Sequence, residues 1–201
     1  MIELLPIPDG FIEFSEEQLD TFAENEYLII DDFLPRELAN NLLKELKFWQ
    51  KENKFKQAGI GKAASLAISE DIRKDVIKWI DPTTCLAQTK SYMDALDNLT
   101  HHLNKNFFLS LKDKEAMYAI YEKGAFYKTH RDRFQGQAHR LISVVLYLNE
   151  NWKEKDGGEL KIYKEDLQKK ELTVEPFFNR LILFKSEILH EVLPCTKKRY
   201  S

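Results

Sequence analysis

The pattern His130-Arg131-Asp132, answered far downstream by His190, constrains the fold of this chain more than any other feature. Residues two apart on an extended segment project from one face, so His130 and Asp132 can share one ion while Arg131 points away. The third donor has to be delivered by another strand, and His190 follows the apolar run Leu181-Ile182-Leu183-Phe184, which reads as a buried strand. A fold that closes a late strand against an earlier one is required, and a jelly roll does this. Two imidazoles and one carboxylate occupy one face of an octahedral metal and leave the opposite face open. That donor set suits Fe(II), Mn(II), Ni(II) or Zn(II) and does not choose among them.

Arg199 bears on the choice. It lies nine positions beyond His190, after the turn-like Pro194-Cys195-Thr196. A guanidinium forks onto a carboxylate through two charge-assisted hydrogen bonds and keeps its proton in any site. Alone, Arg199 would read as one member of a basic surface run, Lys197-Lys198-Arg199. Placed after H-x-D and a distal His, it reads as the grip on the far carboxylate of a keto acid whose other end chelates the metal.

Together the motifs are specific. Tyr121-x-x-Gly124-x-x-Tyr127-x-x-His130-x-Asp132 is followed by Arg140, Val145-Leu146-Tyr147-Leu148-Asn149, Gly157-Gly158-Glu159-Leu160, Pro176 through Arg180-Leu181-x-x-Phe184, His190-Glu191-Val192 and Arg199. The segment from Tyr121 to Arg199 resembles the 2-oxoglutarate and Fe(II)-dependent dioxygenases of the prolyl hydroxylase type. That resemblance implies iron at His130, Asp132 and His190, which carry the catalysis, with 2-oxoglutarate and O2 as co-substrates and ascorbate as a candidate reductant. It implies that Tyr147 shares the far carboxylate of 2-oxoglutarate with Arg199, that Tyr121 lies near the chelating end, that Leu160 and Val192 wall the pocket, and that Arg140 sits at the substrate mouth. An earlier piece, Ile72-Arg73-x-Asp75-x-x-x-Trp79-Ile80, is similar to the strand and loop with which oxygen-sensing prolyl hydroxylases cover a peptide, making Arg73 and Asp75 substrate contacts. The implied activity is hydroxylation of a prolyl residue in a protein, with release of succinate and CO2. An amino-acid or small-molecule hydroxylase of the same kind, or a non-catalytic metal-binding jelly roll, stays open at this point.

Relatives of this type continue through a further strand. Arg199 is therefore expected on a fraying end, where ordering a long side chain is entropically costly. The open edge beside it could pair with a second chain, which leaves dimerisation open.

The remaining histidines, His101, His102 and His139, read as packing or surface residues. Tyr121, Tyr127 and Tyr147 would by default be cross-strand aromatics, and Gly157-Gly158 a turn before a strand. A chain of 201 residues suits one domain with a sizeable core. The net charge of −3 argues against a mainly electrostatic nucleic-acid binder. Cys85 and Cys195 have no CxxC spacing, so neither a disulfide framework nor a zinc ribbon is suggested. The absence of a basic, apolar leader or a membrane-length run makes a cytoplasmic protein the expectation.

Periodicity completes the reading. Tyr27-Leu28-Ile29-Ile30 reads as a short strand, and Leu38, Leu42, Leu43, Leu46 and Trp49 as one helical stripe beginning near Pro35. Residues 51–69 read as strand fragments and loop, and Ile72 to Ile80 as extended. A second helix carries Tyr92, Met93, Leu96, Leu99, Leu103 and Phe107 and ends near Leu111. Strands are expected at about 116–121, 141–148, 160–163, 172–174 and 180–184. The expectation is thus a mainly β fold with flanking helices: a double-stranded β-helix over 116–201, buttressed by two helices within a 27–115 support and substrate-loop region.

Overall fold

A computed structural model of the chain describes residues 12–59, 69–133, 140–163 and 170–201. Among the described residues three α-helices precede or buttress the strands. The first, α1 (Glu16–Asn25), was not expected, yet it begins with a capping box in which Ser15 and Gln18 satisfy each other's backbone N–H groups. Its one buried side chain, Phe22, packs edge-on against Phe107 of α3 at 4.8 Å. The helix α2 (Arg36–Lys51) buries Leu38, Leu42, Leu43 and Leu46 as the periodicity requires, with Pro35 as its N-cap. The helix α3 (Ala87–Phe107) buries Met93, Leu96, Leu99 and Leu103 and stops where Phe108 turns left-handed, short of Leu111.

All strand pairings among the described residues are antiparallel. One wall runs β1 (Tyr27–Ile30), β9 (Leu181–Lys185), β6 (Ile142–Leu146). Beyond Leu146 the same chain continues into a second group, because Leu148 N–H donates to Tyr200 at 3.1 Å. That group is β11 (Arg199–Tyr200), β4 (Met117–Tyr121), β3 (Asp75–Trp79) and β2 (Lys56–Gln57). The facing wall is β5 (Tyr127–His130), β10 (Leu189–Val192), β7 (Leu160–Tyr163) and β8 (Lys170–Val174). The expected jelly roll is therefore present.

The pleat divides the interior in two. Along β4, Tyr118 and Ile120 join a core shared with α2 and α3, while Ala119 and Tyr121 face the space between the walls. On β9, Leu181 and Leu183 likewise face the helices, and Ile182 and Phe184 face inward. Alternation of successive side chains thus gives one strand a structural face and a pocket face.

The expected fraying at Arg199 does not occur. Arg199 pairs with Tyr121 in β4, Ser201 exchanges backbone hydrogen bonds with Ala119 at 2.7 and 3.0 Å, and the Asn149 side chain bonds both N–H and C=O of Tyr200. The main chain is satisfied on both sides of the arginine, which is why its side chain can be ordered.

Candidate metal and keto-acid site

His130 and His190 are direct partners across β5 and β10, which brings their rings to 4.2 Å. Each Nδ1 lies 2.8 Å from a backbone carbonyl two residues earlier, of Lys128 and Ile188 respectively. Those carbonyls require the proton on Nδ1, so both Nε2 lone pairs are left bare and aimed at the space between the walls. Asp132 falls in a bend just past the end of β5 and not within a strand, yet it still turns to the same side. Its carboxylate oxygens lie 3.5 Å from His130 Nε2 and 3.7 Å from His190 Nε2. One donor atom from each residue lies within 4.8 Å of the others.

Charge states match the geometry. Burial alone would raise the Asp132 carboxyl, but His130 and His190, in their protonated forms, and the Ser143 hydroxyl all favour its ionised state and hold it well below the usual carboxylate range. Burial pushes His190 down to about 4 against the pull of Asp132. An ionised carboxylate beside a neutral imidazole is what a divalent cation needs, since donors must be deprotonated to bind. The three residues fit Fe(II).

Behind the ligands stands a stacked column. Tyr127 lies on His130 with ring centroids 3.5 Å apart and planes 15° from parallel, and the Arg73 guanidinium covers the far face of Tyr127 at 4.2 Å. Arg73 forks onto Asp75 at 2.7 and 2.5 Å, and Asp75 is wholly buried. Arg73 and Asp75, expected as substrate contacts, thus lie as an ion pair behind the ligands, with Asp75 wholly buried. The segment expected to cover a peptide includes residues 60–68, which lie outside the described residues, as does His139.

At the other end of the cavity, Arg199 is only 2 % exposed. Its guanidinium lies 4.7 Å from the Tyr121 ring and 4.9 Å from the Tyr147 ring. Among the described residues no carboxylate pairs with it, and neither Arg199 Nε nor the buried Tyr147 hydroxyl makes a well-formed hydrogen bond, although the guanidinium charge bears directly on that hydroxyl. A buried cation and a buried hydroxyl left unsatisfied together are expensive unless an anion completes them. A carboxylate there would accept from both, so these residues fit the distal end of 2-oxoglutarate. Leu160 and Val192, directly opposed across β7 and β10, are buried in the same apolar cluster as Tyr121 and Tyr147.

Gly157 and Gly158 are more than a turn. Gly157 has φ 70 and ψ −153, a region open essentially to glycine alone, and a Cβ there would meet Pro194 O at 2.5 Å. A Cβ on Gly158 would lie 3.1 Å from Arg199 Cδ, so the glycine is the floor on which the arginine lies.

Arg140, expected at the substrate mouth, has φ 60, and its guanidinium is engaged by Glu115 at 2.7 Å on the exposed surface. Two site residues went unread in the sequence. Ser143 on β6 donates to Asp132 Oδ2 at 2.6 Å, and Ser186, just past β9, lies 2.8 Å from Ser143. A serine in a strand or at a turn carries no local signal, so nothing short of the fold could find them.

A family model described as the 2OG-Fe(II) oxygenase superfamily matches residues 116–201. Over 183 residues the chain is 28% identical to the Homo sapiens prolyl hydroxylase EGLN3, covering 87% of this chain and 75% of that protein. A prolyl hydroxylase from Trichoplax adhaerens, solved with a hypoxia inducible factor oxygen degradation domain peptide fragment, is 27% identical with a TM-score of 0.80, covering 91% of this chain and 84% of that one. The crystal structure of a Pseudomonas putida prolyl-4-hydroxylase is 36% identical with a TM-score of 0.79, and 92% of this chain and 93% of that one are covered. Likeness of that degree over nearly the whole length of both chains agrees with the donor set and the waiting arginine: this chain belongs to the 2OG-Fe(II) oxygenase superfamily and is a prolyl hydroxylase-like, 2-oxoglutarate-dependent dioxygenase that works with Fe(II) and O2.

Proposed function

We propose that this enzyme hydroxylates a prolyl residue of a protein or peptide. The observation that carries the keto-acid part is the buried Arg199 guanidinium with no carboxylate partner among the described residues, set beside the unsatisfied Tyr147 hydroxyl. The prolyl part is supported by the relatives, which are themselves prolyl hydroxylases, one of them solved with a peptide. Bound iron supplies the coupled reaction in which 2-oxoglutarate, O2 and a C–H bond become succinate, CO2 and a C–OH group.

The chain's own residues make that coupling selective. His130, Asp132 and His190 present three donors from one side and leave the other side for the co-substrates. Arg199 and Tyr147 hold the far carboxylate and so fix which way the keto acid points. Tyr121, stacked on Arg199, keeps the guanidinium in plane, and Leu160, Val192 and Phe184 exclude water around the reacting centre.

The test is anaerobic titration with Fe(II) and 2-oxoglutarate, watching for the weak visible band of a chelated keto acid, followed by incubation of the aerobic enzyme with proline-containing peptides. The band should need both ligands and fade in Arg199→Ala, and a peptide should gain the mass of one oxygen on proline. Asp132→Ala should lose both hydroxylation and uncoupled 2-oxoglutarate turnover. Unchanged turnover in that variant refutes the ligand assignment, and hydroxylation confined to free amino acids refutes the substrate assignment.

A further inference from the structure

We propose that Ser143 and Ser186 form a one-way hydroxyl relay that fixes Asp132 in its ligand position, so that both serines are positioning residues for the metal. The proposal rests on the assignment of Asp132 as a metal ligand.

The direction of the relay follows from counting protons. A serine hydroxyl owns one, and an ionised carboxylate can only accept. The 2.6 Å contact from Ser143 to Asp132 Oδ2 therefore commits the Ser143 proton to the carboxylate. The 2.8 Å contact between the two serines then has one polarity: Ser186 donates and Ser143 accepts. Donation into Ser143 polarises its O–H and strengthens the bond it makes to Asp132.

The placement of Ser186 gives the relay a mechanical function. Ser186 has no exposed surface. Its N–H donates to Leu141 O at 3.0 Å, at the entry to β6, and its carbonyl accepts from Arg133 N–H at 3.1 Å. One buried residue thus holds the main chain beside Asp132 and, through Ser143, the side chain of Asp132 itself. Asp132 otherwise sits in a bend past its strand with about a third of its side chain exposed, where a carboxylate would sample several rotamers. With Oδ2 engaged, the carboxylate stays turned toward His130 and His190 before any metal arrives. Donor groups one bond removed from the ligands typically change metal affinity about 10- to 100-fold.

The experiment is Co(II) titration of the whole chain without 2-oxoglutarate, read by visible absorption, for wild type, Ser143→Ala, Ser186→Ala, the double variant and Ser143→Thr. Ser143→Ala should weaken Co(II) binding about 10- to 100-fold, Ser186→Ala by a smaller factor, and Ser143→Thr should retain affinity because it keeps the donor. Since Ser186 acts through Ser143, the double variant should bind no worse than Ser143→Ala alone. Wild-type affinity in Ser143→Ala, or losses that multiply in the double variant, would overturn the relay. Circular dichroism melts of the metal-free variants separate positioning from folding, and Ser186→Cys, which keeps volume with a weaker donor, serves if Ser186→Ala does not fold. Asp132→Ala is the reference: Co(II) affinity unchanged there brings down the ligand assignment itself, a different failure from that of the relay.

Discussion

Replacing Arg199 by Met should leave metal-free stability close to wild type while 2-oxoglutarate affinity falls steeply. The guanidinium is 2 % exposed, has no carboxylate partner among the described residues, and leaves Nε unsatisfied. Exchanging a buried ion for an apolar side chain of similar volume is stabilising by about 1–4 kcal/mol when the ion is poorly compensated. Against that gain stand two aromatic faces, Tyr121 at 4.7 Å and Tyr147 at 4.9 Å, whose attraction for a cation is worth about 0.5–2 kcal/mol each. The two ranges, each about 1–4 kcal/mol in total, cancel at their centres, so the metal-free Tm of the variant should lie close to that of wild type. Binding shows no such cancellation. Truncating one partner of a buried charge pair costs about 2–5 kcal/mol, or from about thirty-fold to a few thousand-fold in the Kd for 2-oxoglutarate. The assay is a thermal melt of metal-free and Fe(II)-loaded protein, anaerobically, with and without 2-oxoglutarate. Wild type should gain Tm from 2-oxoglutarate by mass action, and R199M should start close to wild type and gain almost none. A metal-free R199M that melts far below wild type, or one that still responds to 2-oxoglutarate as wild type does, would refute the claim that the arginine is held in reserve for an anion.

Three further outcomes follow from the same geometry. His190 has its folded pKa lowered by burial from 6.5 to about 4, so the unfolded chain takes up the proton first as pH falls. The metal-free protein should lose up to about 3 kcal/mol between about pH 6.5 and pH 4, at about 1.36 kcal/mol per unit. Urea midpoints across that range should show the loss, and His190→Asn should flatten it. Gly157→Ala should lower stability by about 1–3 kcal/mol because its φ, ψ pair excludes a side chain. It also forces Pro194 away, so 2-oxoglutarate affinity measured by calorimetry should fall with it. Ser15→Ala should cost about 1 kcal/mol through loss of the α1 capping box, with Kd for 2-oxoglutarate unchanged.

What the sequence disclosed was whatever has a fixed period or spacing. The H-x-D unit, the distal His and Arg199 could be read because ligand chemistry demands particular side chains at strand spacing, and α2 and α3 because their leucines recur every three or four residues. The helix α1 also had a legible mark, Ser15-x-x-Gln18, but with Phe22 as its one buried side chain it has no stripe to confirm it. Arg73 and Asp75 show where pattern stops. Their spacing correctly puts them on one face, and nothing local says whether that face looks at a substrate or at the back of a metal ligand. Burial decides it, and burial is a property of the neighbours. Ser143 and Ser186 are the extreme case, joined across 43 positions by a contact that only the β6–β9 register creates.

The two ends of the site are secured by different physics. At the metal end, strand pairing sets His130 against His190, and carbonyls and hydroxyls finish the aim, so the ligands are held by many short polar bonds around a fixed ladder. Arg199 at the keto-acid end rides on β11, a strand of only two residues, which by itself would have little reason to stay. On one side it is held by β4, and on the other by Leu148 N–H and by Asn149, 3% exposed, whose amide bonds Pro176 O and Tyr200 O and whose oxygen accepts from Tyr200 N–H at 2.6 Å. The Asn149 carboxamide thus takes the part of a neighbouring strand, and Asn149 immediately follows Leu148 in the segment that carries Tyr147. Both groups proposed to hold the far carboxylate of 2-oxoglutarate are therefore registered to each other through this segment and the β4 ladder, which makes the distance between the arginine and the tyrosine a property of the fold and not of the ligand.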